Sequence, residues 1–131
     1  MQLTLLKSKI HRATGTGASL DYEGSLTISA DLAELVGLVP YEKILVANLS
    51  NGARFETYSI YGPARRGLIE LNGATAHLGK IGDRLTIRSF ARCAEQEAAT
   101  QRPCSVLLDE KNEIGRYDDG ASSRPSKVVR Q

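Results

Sequence analysis

The sequence predicts a small, mainly β barrel, because strand patterns are short and numerous, tight-turn signals are frequent, and only one or two brief helical patterns occur. Its 131 residues suit a single domain, and an apolar fraction of 41% is ordinary for a protein with a buried core. No apolar run approaches the ~20 residues that a membrane-spanning helix needs. We therefore expect one β-rich domain and no contact with a membrane.

The first quarter of the chain predicts two strands that lead to a glycine-serine pair. Residues 2–12 alternate loosely between apolar and polar side chains, as strands do, and residues 14–17 read as a turn. Residues 19–23 predict a second short strand, which delivers the chain to Gly24. Residues 26–28 continue as strand on the far side, so we expect the backbone to bend at this joint.

The next third predicts one helix and then a hairpin. Residues 29–37 have the helical pattern, with Ser29 as the N-terminal cap and Gly37 as the stop. Residues 43–49 and 54–60 are rich in β-branched and aromatic side chains, and the Asn-Gly pair between them is the strongest hairpin signal in the sequence.

The second half predicts further strands and two helical turns before the pattern ends. The strands are expected over residues 68–71, 84–90 and 105–108, and the helical turns over residues 72–77 and 95–100. From about Gly115 the sequence is polar and rich in glycine and serine, which predicts a lack of fixed structure. The expected organisation is a barrel domain over residues 1–114 and a disordered tail over residues 115–131.

The charge distribution argues against nucleic acid as a partner. The formal net charge of +2 is carried by residues 115–131, which leaves residues 1–114 neutral. A neutral body with no tryptophan and 5% aromatic residues offers little attraction for phosphates and little stacking surface. The N-terminus lacks the layout of a signal peptide, so we expect a cytoplasmic protein in which Cys93 and Cys104 are free thiols.

The pair Gly24-Ser25 is the first candidate for chemistry. Glycine has no Cβ, so Gly24 can adopt strained backbone angles that are closed to other residues, and it leaves its carbonyl group open to approach. The hydroxyl of Ser25 could attack that carbonyl and replace the amide with an ester. Elimination and loss of ammonia would then leave a pyruvoyl group at a new N-terminus. The competing interpretation is an ordinary turn, because Gly-Ser pairs are common in turns.

Other polar residues have a functional and a structural interpretation each. His11 and His77 could bind a metal ion, but no carboxylate or cysteine cluster accompanies them, and hydrogen-bonded structural histidines are more common. Ser25 does not lie in a nucleophile elbow. Taken singly, a strand arginine such as Arg54 and β-formers such as Thr57 and Tyr58 are ordinary structural residues.

Taken together, these residues resemble the pyruvoyl-dependent aspartate 1-decarboxylase family from about Met1 to Asp109. The motifs that carry the resemblance are Lys9-Ile-His11-Arg12, Tyr22-Glu-Gly24-Ser25, Asn51-Gly-Ala-Arg54-Phe-Glu-Thr57-Tyr58 and Leu71-Asn72-Gly73-Ala74-Thr75-Ala76-His77. The resemblance implies a double-psi β-barrel that assembles as a homotetramer with active sites between subunits. It also implies self-cleavage between Gly24 and Ser25, into a β chain of residues 1–24 and an α chain of residues 25–131.

The resemblance further implies the activity and the cofactor. The reaction would be decarboxylation of L-aspartate to β-alanine and CO2, for pantothenate and coenzyme A biosynthesis. The cofactor would be the pyruvoyl group made from Ser25, which forms a Schiff base with the substrate amine and acts as the electron sink otherwise provided by pyridoxal phosphate. Neither pyridoxal phosphate nor a metal ion is expected.

The residue roles are carried over from the same resemblance. Tyr58 is expected to donate a proton, and Thr57 to bind the oxyanion of the cleavage step and to lie at the substrate site. Lys9 and Arg54 are expected to bind the substrate carboxylates. The pocket is expected to be lined by Asn72, Gly73, Ala74 and Thr75, with His11 and Tyr22 close behind it. Thr75 departs from the family pattern, which usually has alanine at this position.

Two other functions stay open at this point. Another pyruvoyl decarboxylase, for example one specific for glutamate, would use the same cations, so only a panel of substrates separates it from the aspartate enzyme. A non-catalytic β-barrel binding module would be indicated by a chain that stays whole and has no reactive carbonyl group. The sequence also leaves open whether a maturation factor assists the cleavage.

Overall fold

The computed structural model describes residues 1–21 and 24–121, and it confirms a mainly β molecule consistent with a small β-barrel. Two α-helices, α1 and α2, and one 3₁₀ helix accompany nine strands, β1 to β9. The strands are Gln2–Thr14 (β1), Gly17–Ser19 (β2), Ser25–Ser29 (β3), Lys43–Asn48 (β4), Arg54–Gly62 (β5), Ile69–Asn72 (β6), Arg84–Ala94 (β7), Cys104–Leu108 (β8) and Ile114–Asp118 (β9). The helices are Ala30–Leu35 (α1), Glu95–Ala98 (α2) and the 3₁₀ helix Gly73–His77.

Hydrogen bonding joins the strands in the order β2-β6-β3-β5-β4-β7-β1-β8-β9. Five neighbouring pairs are antiparallel, and three are parallel: β2 with β6, β3 with β5, and β1 with β8. The long strand β1 changes register against β7 twice, after Leu6 and after Ile10. Such irregularities bend a strand and increase its twist, which lets a short sheet curl around its own core.

One apolar core fills the interior of the curled sheet. Alternating strand positions supply it, because successive side chains of a strand point to opposite faces. Helix α1 and the residues after it complete the core with Leu32, Ala33, Val36 and Leu38. The largest fully buried strand side chains are Ile10, Leu26, Ile28, Ile44, Val46, Ile69, Leu71, Leu85, Ile87 and Val106.

The predicted hairpin between β4 and β5 is confirmed. Gly52 has a φ of 80°, which favours glycine, and its N–H donates to the carbonyl of Asn48. The side-chain oxygen of Asn51 accepts a hydrogen bond from the N–H of Ala53. The turn fixes the register in which Ala47 pairs with Arg54, and it thereby sets the position of every residue along β5.

Three local predictions were wrong. The second strand is Gly17–Ser19 rather than residues 19–23; Leu20 and Asp21 form a turn, and residues 22–23 lie outside the described residues. Ser29 is the N-cap residue of α1, but its side chain forms no capping hydrogen bond, because its hydroxyl accepts a hydrogen bond from the N–H of Leu68 instead.

The third error concerns the C-terminal segment. Residues 114–118 form β9, which pairs with β8, so the loss of structure predicted from about residue 115 does not hold there. The partly buried Tyr117 explains the difference, because it packs on the core and its hydroxyl donates to the carbonyl of Leu35. Residues 122–131 lie outside the described residues.

Neither cysteine is in a disulfide: Cys93 is a buried free thiol, and Cys104 is a half-buried one. This agrees with the expectation from the sequence. Within the part of the chain that the structure describes, no helix has the length and apolar character needed to cross a membrane.

Candidate active site

The Ser25 side chain is held by an amide from the neighbouring strand. Ser25 begins β3 and pairs with Asn72, the last residue of the antiparallel strand β6. The amide nitrogen of Asn72 donates one proton to Ser25 Oγ at 3.0 Å and the other to Thr27 Oγ1 at 2.8 Å. Ser25 and Asn72 are only 3% and 4% exposed. The serine hydroxyl is therefore a buried, oriented group with a donor already placed on its oxygen.

A second hydroxyl approaches Ser25 from the 3₁₀ helix that follows β6. Gly73 makes the tight entry into this helix with a φ of 62°, a conformation that strongly favours glycine. The helix brings Thr75 Oγ1 to 3.3 Å from the carbonyl oxygen of Ser25 and 2.7 Å from that of Asn72. Asn72 and Thr75 thus both contact Ser25, and Gly73 and Ala74 lie between them in the chain.

Gly24 directly precedes the buried Ser25. A Cβ atom added to Gly24 would have no neighbour within 4 Å. The useful property of this glycine is the open space around it. The Gly24 carbonyl therefore directly precedes a fixed nucleophile, the Ser25 hydroxyl.

Thr57 and Tyr58 lie on β5, directly beside β3. The two strands run parallel with Leu26 opposite Ser59, so extending this register by one residue sets Ser25 beside Tyr58. The Tyr58 ring packs against Tyr41, with ring centroids 6.3 Å apart. The backbone N–H of Tyr41 donates to the carbonyl oxygen of Ser59 at 2.7 Å, which fixes Tyr41 against β5.

Arg54 lies further along β5, at its exposed start. Tyr58 is four positions after Arg54 in the strand, which corresponds to about 13 Å between their Cα atoms. Within residues 1–21 and 24–121, the Arg54 guanidinium forms no ion pair, whereas the neighbouring Glu56 is paired with Lys43. Arg54 is therefore a cation available at the rim of β5.

Lys9 and His11 lie on β1, and three strands separate β1 from β3 in the sheet. They line a cavity of about 190 Å³ together with Ser105, Val106, Leu107 and Arg116. His11 Nδ1 lies 3.0 Å from Thr86 Oγ1. Burial lowers the pKa of His11, and Lys9, Arg12, Arg88 and Arg84 lower it further, so the imidazole is neutral at pH 7.

The structure thus gathers one group of the predicted site residues and leaves another apart. Gly24, Ser25, Asn72, Gly73 and Thr75 lie together, and Thr57 and Tyr58 are on the adjoining strand. Lys9 and His11 lie on a distant strand of the same chain, and Tyr22 is outside the described residues.

Three polar partners were missed by sequence reasoning. Thr27 shares the Asn72 amide, Tyr41 packs on Tyr58, and Thr86 contacts His11. The contact of Thr27 could have been predicted, because Ser25 and Thr27 are two residues apart on a strand and their side chains therefore share a face. The other two depend on strand register and loop position, for which the sequence carries no local signal.

Comparison with known proteins identifies the family of this chain. The family model described as aspartate decarboxylase matches residues 1–115. A relative from Trichormus variabilis named aspartate 1-decarboxylase is 48% identical over 91% of this chain and 96% of its own length. Relatives of the same name from Chloroherpeton thalassium and Dehalococcoides mccartyi are 53% and 46% identical, over 86% and 95% of this chain and 82% and 100% of their own lengths. The chain belongs to the aspartate decarboxylase family.

Proposed function

We propose that this protein is a lyase that decarboxylates L-aspartate to β-alanine and CO2, after cleaving its own backbone between Gly24 and Ser25. Family membership and the names of its relatives support the reaction. The observation that carries the proposal is the buried Ser25 hydroxyl, whose oxygen accepts a hydrogen bond from Asn72 at the start of β3. The product would serve pantothenate and coenzyme A biosynthesis, as the resemblance implies.

Asn72 and Thr57 have complementary tasks in the proposed cleavage. Ser25 Oγ attacks the Gly24 carbonyl carbon, and the Asn72 amide orients that oxygen through the 3.0 Å hydrogen bond. The attack places negative charge on the Gly24 carbonyl oxygen. Thr57 is on the strand beside this peptide, and we assign its hydroxyl to that oxyanion.

The surroundings of Ser25 fit a pyruvoyl group. That group has two carbonyl oxygens and no donor, so it needs hydrogen bonds to be donated to it. The Asn72 amide and the Thr75 hydroxyl are two such donors, and both are buried. The space beside Gly24 lets the new C-terminus of the β chain move away after cleavage.

The chain's own residues then bind the substrate and move the proton. A pyruvoyl ketone supplies an electrophile for the substrate amine and withdraws electrons from the bond to the departing carboxylate. Arg54 and Lys9 bind the two carboxylates of aspartate, with Arg54 suited to a two-point grip. Tyr58 donates the proton that replaces CO2, since it lies on the strand beside Ser25. His11, two residues after Lys9 on β1, is a neutral imidazole.

The positions of these residues support the proposal that active sites form between subunits. Lys9 lies three strands away from Ser25 in the sheet, on the side of the molecule formed by β1 and β8. A homotetramer in which β1 of one subunit meets β3 and β5 of another would bring the two groups together. The cytoplasmic location expected from the sequence stays a prediction.

The Ser25→Ala variant tests the proposed cleavage. We expect the wild-type chain to give two fragments on a denaturing gel, with the α chain lighter than its serine form because a ketone has replaced the amine. Ser25→Ala should remain whole and inactive, because it has no nucleophile. Ser19→Ala, in β2, is the matched control and should be cleaved normally. Cleavage of the Ser25→Ala chain would contradict the mechanism, and turnover of glutamate in preference to aspartate would contradict the substrate.

A further inference from the structure

We propose that the Thr75 hydroxyl promotes the second stage of self-cleavage, in which the ester formed at Ser25 is eliminated. Its hydrogen bond would stabilise negative charge on the Ser25 carbonyl oxygen. This inference rests on the proposed self-cleavage and assigns one of its stages to a residue outside the cleaved peptide.

The position of Thr75 allows two alternative hydrogen bonds. Its Oγ1 atom lies 2.7 Å from the Asn72 carbonyl oxygen and 3.3 Å from the Ser25 carbonyl oxygen. A hydroxyl has one proton, so it donates to only one of the two at a time. In the uncharged chain the shorter distance favours Asn72. Rotation about the Cβ–Oγ bond is enough to redirect the proton to Ser25.

The surroundings make that redirected bond strong. Thr75 is 5% exposed and Ser25 is 3% exposed, so little water competes for the proton. Thr75 is also held in the 3₁₀ helix, whose first residue, Gly73, has a positive φ. A fixed donor in a site of low polarity stabilises a developing anion more than a mobile donor in water does.

The first stage of cleavage places charge elsewhere. Ser25 Oγ bonds to the Gly24 carbonyl carbon, the bond from that carbon to the Ser25 nitrogen breaks, and the hydroxyl proton moves to the nitrogen. The product is an ester with a free amine at residue 25. The charge in this stage develops on the Gly24 oxygen, to which no bond from Thr75 is present.

The second stage places charge on the oxygen that Thr75 can reach. The Cα proton of residue 25 passes to water, and its electron pair forms the Cα–Cβ double bond as the Cβ–Oγ bond breaks and Gly24 leaves as a carboxylate. The enamine tautomerises to an imine, and addition of water releases ammonia and gives the ketone. As the Cα–H bond breaks, negative charge spreads onto the carbonyl oxygen attached to the same Cα, and this is Ser25 O.

The test separates ester formation from ester elimination in the full-length protein. Intact mass under denaturing conditions follows the whole chain and the pyruvoyl fragment over time, and brief treatment with hydroxylamine splits any ester that has accumulated. In Thr75→Val, which keeps the shape of the side chain, we expect conversion of ester to pyruvoyl fragment to slow by about tenfold. This is less than the loss of a short oxyanion donor causes, because the 3.3 Å bond is long.

Thr75→Ser keeps the hydroxyl and should restore the wild-type rate of elimination. Thr75→Val should slow ester elimination and leave the rate of ester formation unchanged. General damage to the fold would slow both steps. If the melting temperature shows that Thr75→Val does not fold, Thr75→Ala against Thr75→Ser makes the same comparison.

Equal elimination rates with and without the hydroxyl would overturn the inference, as would a defect confined to ester formation. Both results would leave the proposed function intact, because the wild-type chain would still be cleaved. A wild-type chain that never forms an ester would instead contradict the proposed function itself.

Discussion

At the scale of single residues, the amide of Asn72 organises the site because it has two protons and two hydroxyl partners. Both protons are donated, to Ser25 and to Thr27, so the amide leaves no donor unsatisfied in a buried place. Ser25 consequently receives a hydrogen bond on its oxygen while its own proton stays available for transfer. In an ordinary exposed turn, the oxygen and the proton of a serine hydroxyl would both form hydrogen bonds with water.

The Tyr58→Phe substitution tests the proposed proton donor at this same scale. Phenylalanine keeps the ring that packs on Tyr41, so we expect normal folding and normal cleavage into two fragments. Loss of the phenol should lower kcat for aspartate by about 10²- to 10⁴-fold, which is the usual contribution of a general acid. Single-turnover and steady-state rates on fully cleaved protein measure this. Tyr41→Leu is the control for ring packing, and turnover at the wild-type rate in Tyr58→Phe would remove Tyr58 from the role.

The residues of the site could be anticipated from the sequence, but their contacts could not. Ser25, Asn72 and Thr75 were predicted to lie near one another from their motifs. The shared amide and the pairing of Tyr41 with Tyr58 depend on register between segments far apart in the chain.

At the scale of secondary-structure elements, the turn between β8 and β9 is tied to the rest of the barrel by Asn112. This residue is buried and has a φ of 59°. Its amide nitrogen donates to the carbonyls of Thr14 and Gly67, both at 2.8 Å, and its Oδ1 accepts from the N–H of Thr14 at 2.7 Å. One side chain therefore joins the end of β1, the loop before β6 and the β8–β9 turn.

Asn112→Gly should destabilise the protein by about 2–4 kcal/mol, because it leaves three backbone groups without their partner. Glycine keeps the positive φ, so the loss reports the hydrogen bonds rather than the backbone conformation. Urea unfolding of the uncleaved Ser25→Ala background measures the change. Asn51→Ala, an exposed asparagine in the β4–β5 turn, should cost less than about 1 kcal/mol. Equal losses in the two variants would show that Asn112 has no special role.

Element type was predictable wherever a local signal was strong. Alternation predicted β7, and the Asn-Gly pair predicted the β4–β5 turn. Composition failed at β9, because a short polar strand is stabilised by its ladder with β8 and by Tyr117 packing on the core. Contacts of that kind are invisible in the segment's own sequence.

At the scale of the whole molecule, the candidate site is divided between two sides of one subunit. Ser25, Thr57 and Tyr58 belong to β3 and β5, whereas Lys9 belongs to β1 beside β8. The strand order keeps these groups apart within a chain. The proposed tetramer would bring these groups together at an interface between two copies.

Mixed assemblies test this division. Ser25→Ala chains lack the ketone, and Lys9→Ala chains lack one carboxylate ligand, so each assembly should be inactive or nearly so alone. Co-expressed chains should regain a fraction of the wild-type activity, because some interfaces would combine Ser25 of one chain with Lys9 of the other. Native mass spectrometry confirms the mixing, and kcat/KM for aspartate measures the recovery. Mixed assemblies as inactive as their parents would place the whole site within one subunit.

The position of β1 has a consequence for refolding after self-cleavage. β1 lies between β7 and β8, and the cut at residue 24 would separate it covalently from both. The ladders of β1 with β7 and β8, the ladder of β2 with β6 and the Asn112 hydrogen bonds to Thr14 would then be among the non-covalent contacts that hold two polypeptides together. Before the cut, folding is a first-order process of a single chain. After the cut, refolding from the denatured state would be bimolecular, because the two fragments would have to meet by diffusion.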